Sequence, residues 1–199
     1  MRDAVMRWSL AGSTALLLGV AGAGAQAAAT STRFEPNVSL QGQALLLNGA
    51  GTRFRAVFRV YDMGLYTTRR VGTAAELLAL PGPKRLQFTA LRELPGTDLG
   101  RLFIKGLGEN SKREDVSRHI PSMNRFIEIF SGRSKLMPGD SFAMDFVPGK
   151  GTQFFIAGQP QGAPVGDDEF FTLVLKIWFG DSPADHLLKD ALLGIEPSR

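Results

Sequence analysis

The sequence predicts a single α+β domain, and three observations predict it. Strand-length runs recur at 38–47, 53–61, 85–91, 142–147 and 153–157; the first two alternate apolar and polar residues, and turn residues punctuate the others. Apolar residues return at three- and four-residue spacing within 99–107, 123–130 and 170–178, the period of a helix that buries one face. The chain has 199 residues, 44% hydrophobic and 21% charged, enough for one ordinary core. No repeat, low-complexity tract or linker divides it.

The first segment stands apart from that domain. Arg2 and Arg7 precede an apolar run from Trp8 to Ala23 that ends in the small-residue pattern Ala25-Gln26-Ala27. This reads as a secretory leader over 1–27, with the folded domain over 28–199 and a periplasmic or secreted product. A membrane anchor is the competing reading, but the run is short of the roughly 20 apolar residues that span hydrocarbon, and serine, threonine and glycine dilute it.

Val38 to Leu47 is the first expected strand, ending at Asn48-Gly49, a pair that tolerates positive φ and predicts a hairpin turn. The next strand starts near Thr52, and simple alternation places Arg53, Arg55, Val57, Arg59 and Tyr61 on one side of it. Pro81-Gly82-Pro83 turns the chain into a further edge over Arg85–Leu91. Leu99, Leu102, Phe103 and Leu107 then mark one helix; Met123, Phe126, Ile127 and Phe130 mark another after Pro121-Ser122. Pro138-Gly139-Asp140 and Pro148-Gly149-Lys150-Gly151 bracket two short antiparallel strands. Phe170 to Trp178 returns to helical spacing and Gly180 ends it. Ser182-Pro183-Ala184-Asp185 supplies an N-cap, a first-turn proline and an acid for a last helix through Leu193.

Charge and composition exclude several classes of function. The formal net charge is +4 with Lys and Arg scattered along the chain, so neither nucleic acid nor a membrane surface is demanded as a partner. The absence of cysteine removes disulfides, thiolate nucleophiles and cysteine-based metal sites. The two histidines, His119 and His186, have no partner histidine at ligand spacing, so no metal site is expected. There is no Gly-x-Ser-x-Gly elbow, phosphate loop or dinucleotide fingerprint, and no cofactor is expected; Asn48-Gly49-Ala50-Gly51 follows a strand but leads into another strand. Asp167-Asp168-Glu169 reads as the acidic start of a helix.

Arg53 and Tyr61 are the residues with chemistry to offer. An arginine fork beside a phenol suits a carboxylate, because the guanidinium donates two hydrogen bonds and the hydroxyl a third. Eight residues of flat strand, however, separate them by roughly 26 Å. The residues alone leave two readings open: a carboxylate receiver, or a solvated edge charge and a half-buried strand aromatic.

Leu-Asn-Gly-Ala-Gly-Thr-Arg at 47–53, Val-Tyr-Asp-Met-Gly-Leu-Tyr at 60–66, Glu109-Asn110, Pro138-Gly139-Asp140 and Leu175-Lys176-Ile177-Trp178-Phe179-Gly180 with Ser182-Pro183 resemble, in order and spacing, the chalcone isomerase family. The resemblance covers about Phe34 to Gly194. It implies an open-faced β-sandwich, an antiparallel sheet packed against a helical layer with the ligand cleft between, and a bend after the arginine that shortens the distance to Tyr61.

By the same resemblance, Arg53 matches the family's cleft arginine, Asn110 its substrate-binding asparagine, and Arg92 lies near its cleft lysine. Tyr61 stands where the isomerases carry a catalytic threonine, Phe103 where they carry a tyrosine, and Ile177 where a threonine lines the pocket. Phe103 cannot supply the phenol's hydrogen bonds to a reacting ketone. The Arg53–Tyr61 combination is similar to that of the fatty-acid-binding branch. The resemblance therefore implies an exported binding protein for a fatty acid or similar small apolar carboxylate, with Arg53, Tyr61, Arg92, Phe103, Asn110 and Ile177 on the ligand and no catalytic residue. The alternative it leaves is an intramolecular lyase acting on a chalcone-like phenolic enone.

Overall fold

The computed structural model describes residues 30–195; the leader expected over 1–27 lies outside the described residues. Seven strands form one curled antiparallel sheet in the order β1-β2-β3-β4-β7-β8-β9: β1 (Asn37–Leu40), β2 (Gln43–Arg55), β3 (Phe58–Thr67), β4 (Lys84–Ala90), β7 (Ser141–Val147), β8 (Gly151–Ile156) and β9 (Gln159–Pro160). A two-stranded ribbon, β5 (Leu94–Pro95) with β6 (Lys135–Leu136), stands beside it. The helices are α1 (Ala74–Ala79), α2 (Gly96–Asn110), α3 (Arg113–Arg118), α4 (Ile120–Ser131), α5 (Asp168–Phe179) and α6 (His186–Leu192). This is the α+β architecture expected from the sequence, a half-barrel of antiparallel strands covered by helices.

The inner face of the sheet carries the core. Tyr61, Met63 and Leu65 of β3 face Ala90, Phe88 and Leu86 of β4, and Phe142 and Met144 of β7 continue the row. Phe88 stacks on Phe142 at 4.2 Å and Phe146 on Phe171 of α5 at 4.2 Å, which fixes the helix over the sheet. Helix α5 starts at Asp167, whose side chain accepts from the Phe170 backbone N–H at 2.8 Å, so the acidic cluster there is a cap. Gly106 of α2 lets Ile177 of α5 approach, since a Cβ at that position would meet the isoleucine at 2.8 Å.

The outer face of β3 is covered by residues 32–36. Phe34 lies over Gly64, the Tyr66 hydroxyl donates to Glu35 O at 3.0 Å, and the Thr32 N–H donates to buried Asp62 at 2.7 Å. Strand β3 is therefore buried on both faces from Val60 to Thr67, Asp62 and Thr67 included.

Three expectations from the sequence are corrected. Asn48-Gly49 is not a turn: β2 runs straight through it, with a register irregularity between Leu47 and Gly49. The Asn48 side chain donates to Val71 O and Leu192 O and accepts from the Val71 N–H, and a Cβ at Gly49 would collide with the Ala191 and Leu192 carbonyls of α6. The glycine is there for close approach. The chain turns instead at Gln41-Gly42, both with positive φ, and at Ala56-Val57, where Ala56 has φ 53°. Consequently the run from Arg53 to Tyr61 is two strands, not one. Finally, the last helix is capped by Asp185 and not by Ser182; the Asp185 carboxylate accepts from the Leu188 N–H at 3.1 Å.

Candidate ligand-binding cleft

The hairpin between β2 and β3 solves the separation of Arg53 and Tyr61. They are direct partners across the strand pair, and the guanidinium carbon stands 5.5 Å from the centre of the Tyr61 ring. The 26 Å of flat strand never applies, because the chain doubles back between the two residues. The bend expected after the arginine is this reversal at Ala56-Val57.

Tyr61 is fixed from the opposite side. Trp178 of α5 donates from Nε1 to the Tyr61 oxygen at 2.8 Å, and Phe88 packs edge-on against the phenol at 5.4 Å. With its oxygen accepting from Trp178, the hydroxyl keeps its own proton to donate. Burial pushes the Tyr61 phenol above the usual tyrosine range, while the Arg53 charge pulls it back toward that range. The net effect keeps it a neutral donor at any physiological pH. The Nε of Arg53 is buried with no hydrogen-bond partner. Two inward-facing groups thus stand side by side with donor capacity unused, which is a receiver for an acceptor-rich group.

Two cavities meet at this pair. The first, roughly 150 Å³, runs between sheet and helices and is walled by Phe103, Phe126, Phe130, Phe142, Ile177 and Trp178. Phe103 stacks on Phe126 at 3.4 Å between ring centres, presenting only hydrocarbon. The second, roughly 290 Å³, is lined by Arg53, Arg55, Arg92, Glu93 and Asp98, and both cavities are partly open to solvent, the first past Lys105, Glu109 and Ser182. Arg53, Tyr61, Leu99 and Leu102 border both. An amphiphile fits this layout, with its tail in the aromatic chamber and its head at the boundary.

Of the residues singled out in the sequence, Arg53, Tyr61, Phe103 and Ile177 come together in the first cavity and Arg92 in the second. Asn110 is the correction. Its Nδ2 donates to Gly106 O at 2.9 Å and Ser182 O at 2.8 Å, and its Oδ1 accepts from the Ser182 N–H at 2.8 Å. It buckles the end of α2 to the α5–α6 loop and does not line the cavity, though neighbouring Glu109 and Ser182 do. Sequence reasoning missed Trp178 as the partner of Tyr61 and the Phe126, Phe130 and Phe142 wall. Nothing local marks these residues, since their helical or strand spacing is that of any core.

Among the described residues, no group of three or more His, Cys, Asp or Glu side chains is placed to hold a metal ion. His119 lies outside the cleft, at 3.8 Å from Asp167 and 3.6 Å from Glu169. No described helix is long and apolar enough to cross a membrane.

The profile of the family described as chalcone isomerase-like matches residues 26–194. No curated protein sequence matches the chain. Among solved structures, a fatty-acid binding protein of Arabidopsis thaliana is similar in fold: TM-score 0.60 at 15% identity, over 80% of this chain and 90% of that one.

Proposed function

The chain belongs to the chalcone isomerase-like family, and on that premise we propose that it binds a fatty acid or a similar small apolar carboxylate. One observation carries the reading: Arg53 and Tyr61 sit with unused donors at the boundary between an aromatic chamber and an arginine-lined mouth. The carboxylate accepts from the guanidinium and from the phenol, and the chain enters toward Phe103 and Ile177. Each methylene taken from water contributes about 0.8 kcal/mol, so the tail supplies most of the affinity and the polar pair sets orientation. The Arabidopsis structure, a fatty-acid binding protein, supports the choice of ligand class. The leader pattern over 1–27 supports a site of action in the periplasm or outside the cell.

Phe103 gives the lyase alternative little support, because its face against the cavity offers no hydrogen bond to a reacting carbonyl. The test is to purify residues 28–199 natively, extract with organic solvent and identify co-purified molecules by mass spectrometry. A stoichiometric aliphatic acid that is missing from Arg53→Ala supports the reading. A neutral lipid, or an acid retained undiminished by Arg53→Ala, refutes it.

A further inference from the structure

The fold collects on one hairpin what the sequence scatters. Six consecutive residues, Phe54 to Arg59, form the exposed tip where β2 turns into β3. Val57 is 82% exposed, Phe58 61% and Phe54 40%, so three large apolar side chains face water at the most projecting point of the hairpin. Isolated exposed apolar residues are ordinary; three within five positions on a turn are a patch. Cross-strand pairing sets Arg55 opposite Phe58 and Arg59 opposite Phe54, and the Arg92 guanidinium lies 5.6 Å from the centre of the Phe58 ring. Every exposed aromatic of the tip therefore has an arginine beside it.

Of these arginines only Arg59 has an acidic partner among the described residues, Asp62. Glu93 pairs with Lys135 at 2.7 Å and Asp98 with Arg101 at 3.0 Å, while Asp185 accepts from the Phe54 and Leu188 backbone N–H groups. Asp62 is buried, bonded to Thr52 and Thr32, and stands 4.0 Å from Arg59. Arg55 and Arg92 are in none of the ion pairs among the described residues.

We propose that this hairpin tip is a docking element for a lipid bilayer with anionic headgroups, Val57, Phe58 and Phe54 entering the interface while Arg55, Arg59 and Arg92 meet lipid phosphates. Apolar side chains ringed by guanidinium groups match the boundary between acyl chains and phosphates, where the aliphatic stems lie in the apolar layer and the charged heads in the polar one. The arginine-lined cavity runs along the same hairpin, with Arg55 and Arg92 in its lining, so docking turns that side of the cleft toward the bilayer surface. The inference concerns the outer surface and holds whatever the cleft contains.

Co-sedimentation with phosphatidylcholine vesicles, with and without phosphatidylglycerol, tests it on the full domain. Wild-type protein is expected to pellet with phosphatidylglycerol-containing vesicles and to be released by high salt. Arg55→Gln and Arg92→Gln each weaken binding about fivefold. Val57→Asp and Phe58→Asp abolish it with an unchanged thermal melt, as both side chains are exposed. Wild-type protein remaining in the supernatant, or Val57→Asp pelleting like wild type, overturns the proposal. So does a lipid-free dimer in analytical ultracentrifugation that Val57→Asp dissolves, which would assign the tip to self-association.

Discussion

Replacing Arg53 by methionine separates the charge at the cleft from its packing. Methionine is unbranched, of similar length and adaptable, so it fills the space beside Tyr61 without a large void. What disappears is the buried Nε, which has no partner in the protein, and the rest of the guanidinium fork. Hydrogen bonds to charged groups contribute roughly 1.5–3 kcal/mol each. A carboxylate that accepts from Arg53 and Tyr61 should therefore lose about 3 kcal/mol in Arg53→Met, roughly 150-fold in Kd. The alcohol of equal chain length carries no charge and should lose only about 1 kcal/mol. The acid-specific coupling is then about 2 kcal/mol, well above the scatter of additive effects. Isothermal titration of octanoate and octanol into wild type and Arg53→Met, near neutral pH, gives the four values. Equal losses for acid and alcohol would show that Arg53 acts through packing and would refute the carboxylate assignment; so would no loss at all.

Three further outcomes follow from the same geometry. Tyr61→Phe leaves the buried Trp178 Nε1 without its acceptor and should lower unfolding free energy by about 1–3 kcal/mol in urea titrations. Phe103→Leu removes one ring of the 3.4 Å stack and widens a chamber of roughly 150 Å³; in a titration series of straight-chain acids the tightest-binding length should move to longer chains. Lys84 is 4% exposed, its ammonium held by Leu80 O and Gly82 O with no carboxylate bonded to it, and burial pulls its pKa down to about 8. Between that value and the ordinary lysine value of 10.5, the unfolded chain binds the proton and the folded one does not, so stability rises with pH through this window. Relative to Lys84→Met, wild type should gain about 1 kcal/mol between roughly pH 7 and 9 by denaturant titration, and parallel curves would contradict the assignment.

Much of the fold was legible because helix and strand periods survive in the sequence. The helices over Gly96–Asn110, Ile120–Ser131 and Asp168–Phe179 each contain the apolar spacing that announces them, and Asp167 caps the last as its residue type suggests. The turns were harder. Asn48-Gly49 carries a strong hairpin signature, but close packing against α6 uses the same small residues for another purpose, whereas the true reversal at Ala56-Val57 carries no signature at all. Helix α1 went unread although Thr73 and Glu76 form a complete capping box. Arg53 and Tyr61 could be picked out by residue chemistry and family resemblance. Their contact could not, because it depends on where the hairpin closes. The role of Trp178 was hidden by its 117-residue separation from Tyr61.

The irregularity at Asn48 has an effect on β2 beyond its local hydrogen bonds. Leu47 pairs with Tyr66 on the outer face, yet Gly49, Gly51 and Arg53 pair with Leu65, Met63 and Tyr61 on the inner one. All four β2 positions are odd-numbered, so strict alternation would put them on one side. The single extra residue shifts the phase of the strand by half a period and carries Arg53 from the outer surface into the cleft. Whether this protein presents Arg53 or its neighbours Thr52 and Phe54 to its cavity is thus a matter of counting. Deleting Asn48 would leave Gly49, Gly51 and Arg53 opposite the same β3 partners, because the bulge already absorbs the extra residue; running β2 through this point as a regular strand with every residue kept would instead exchange the two faces downstream, with composition, hydropathy and the arginine itself unaltered.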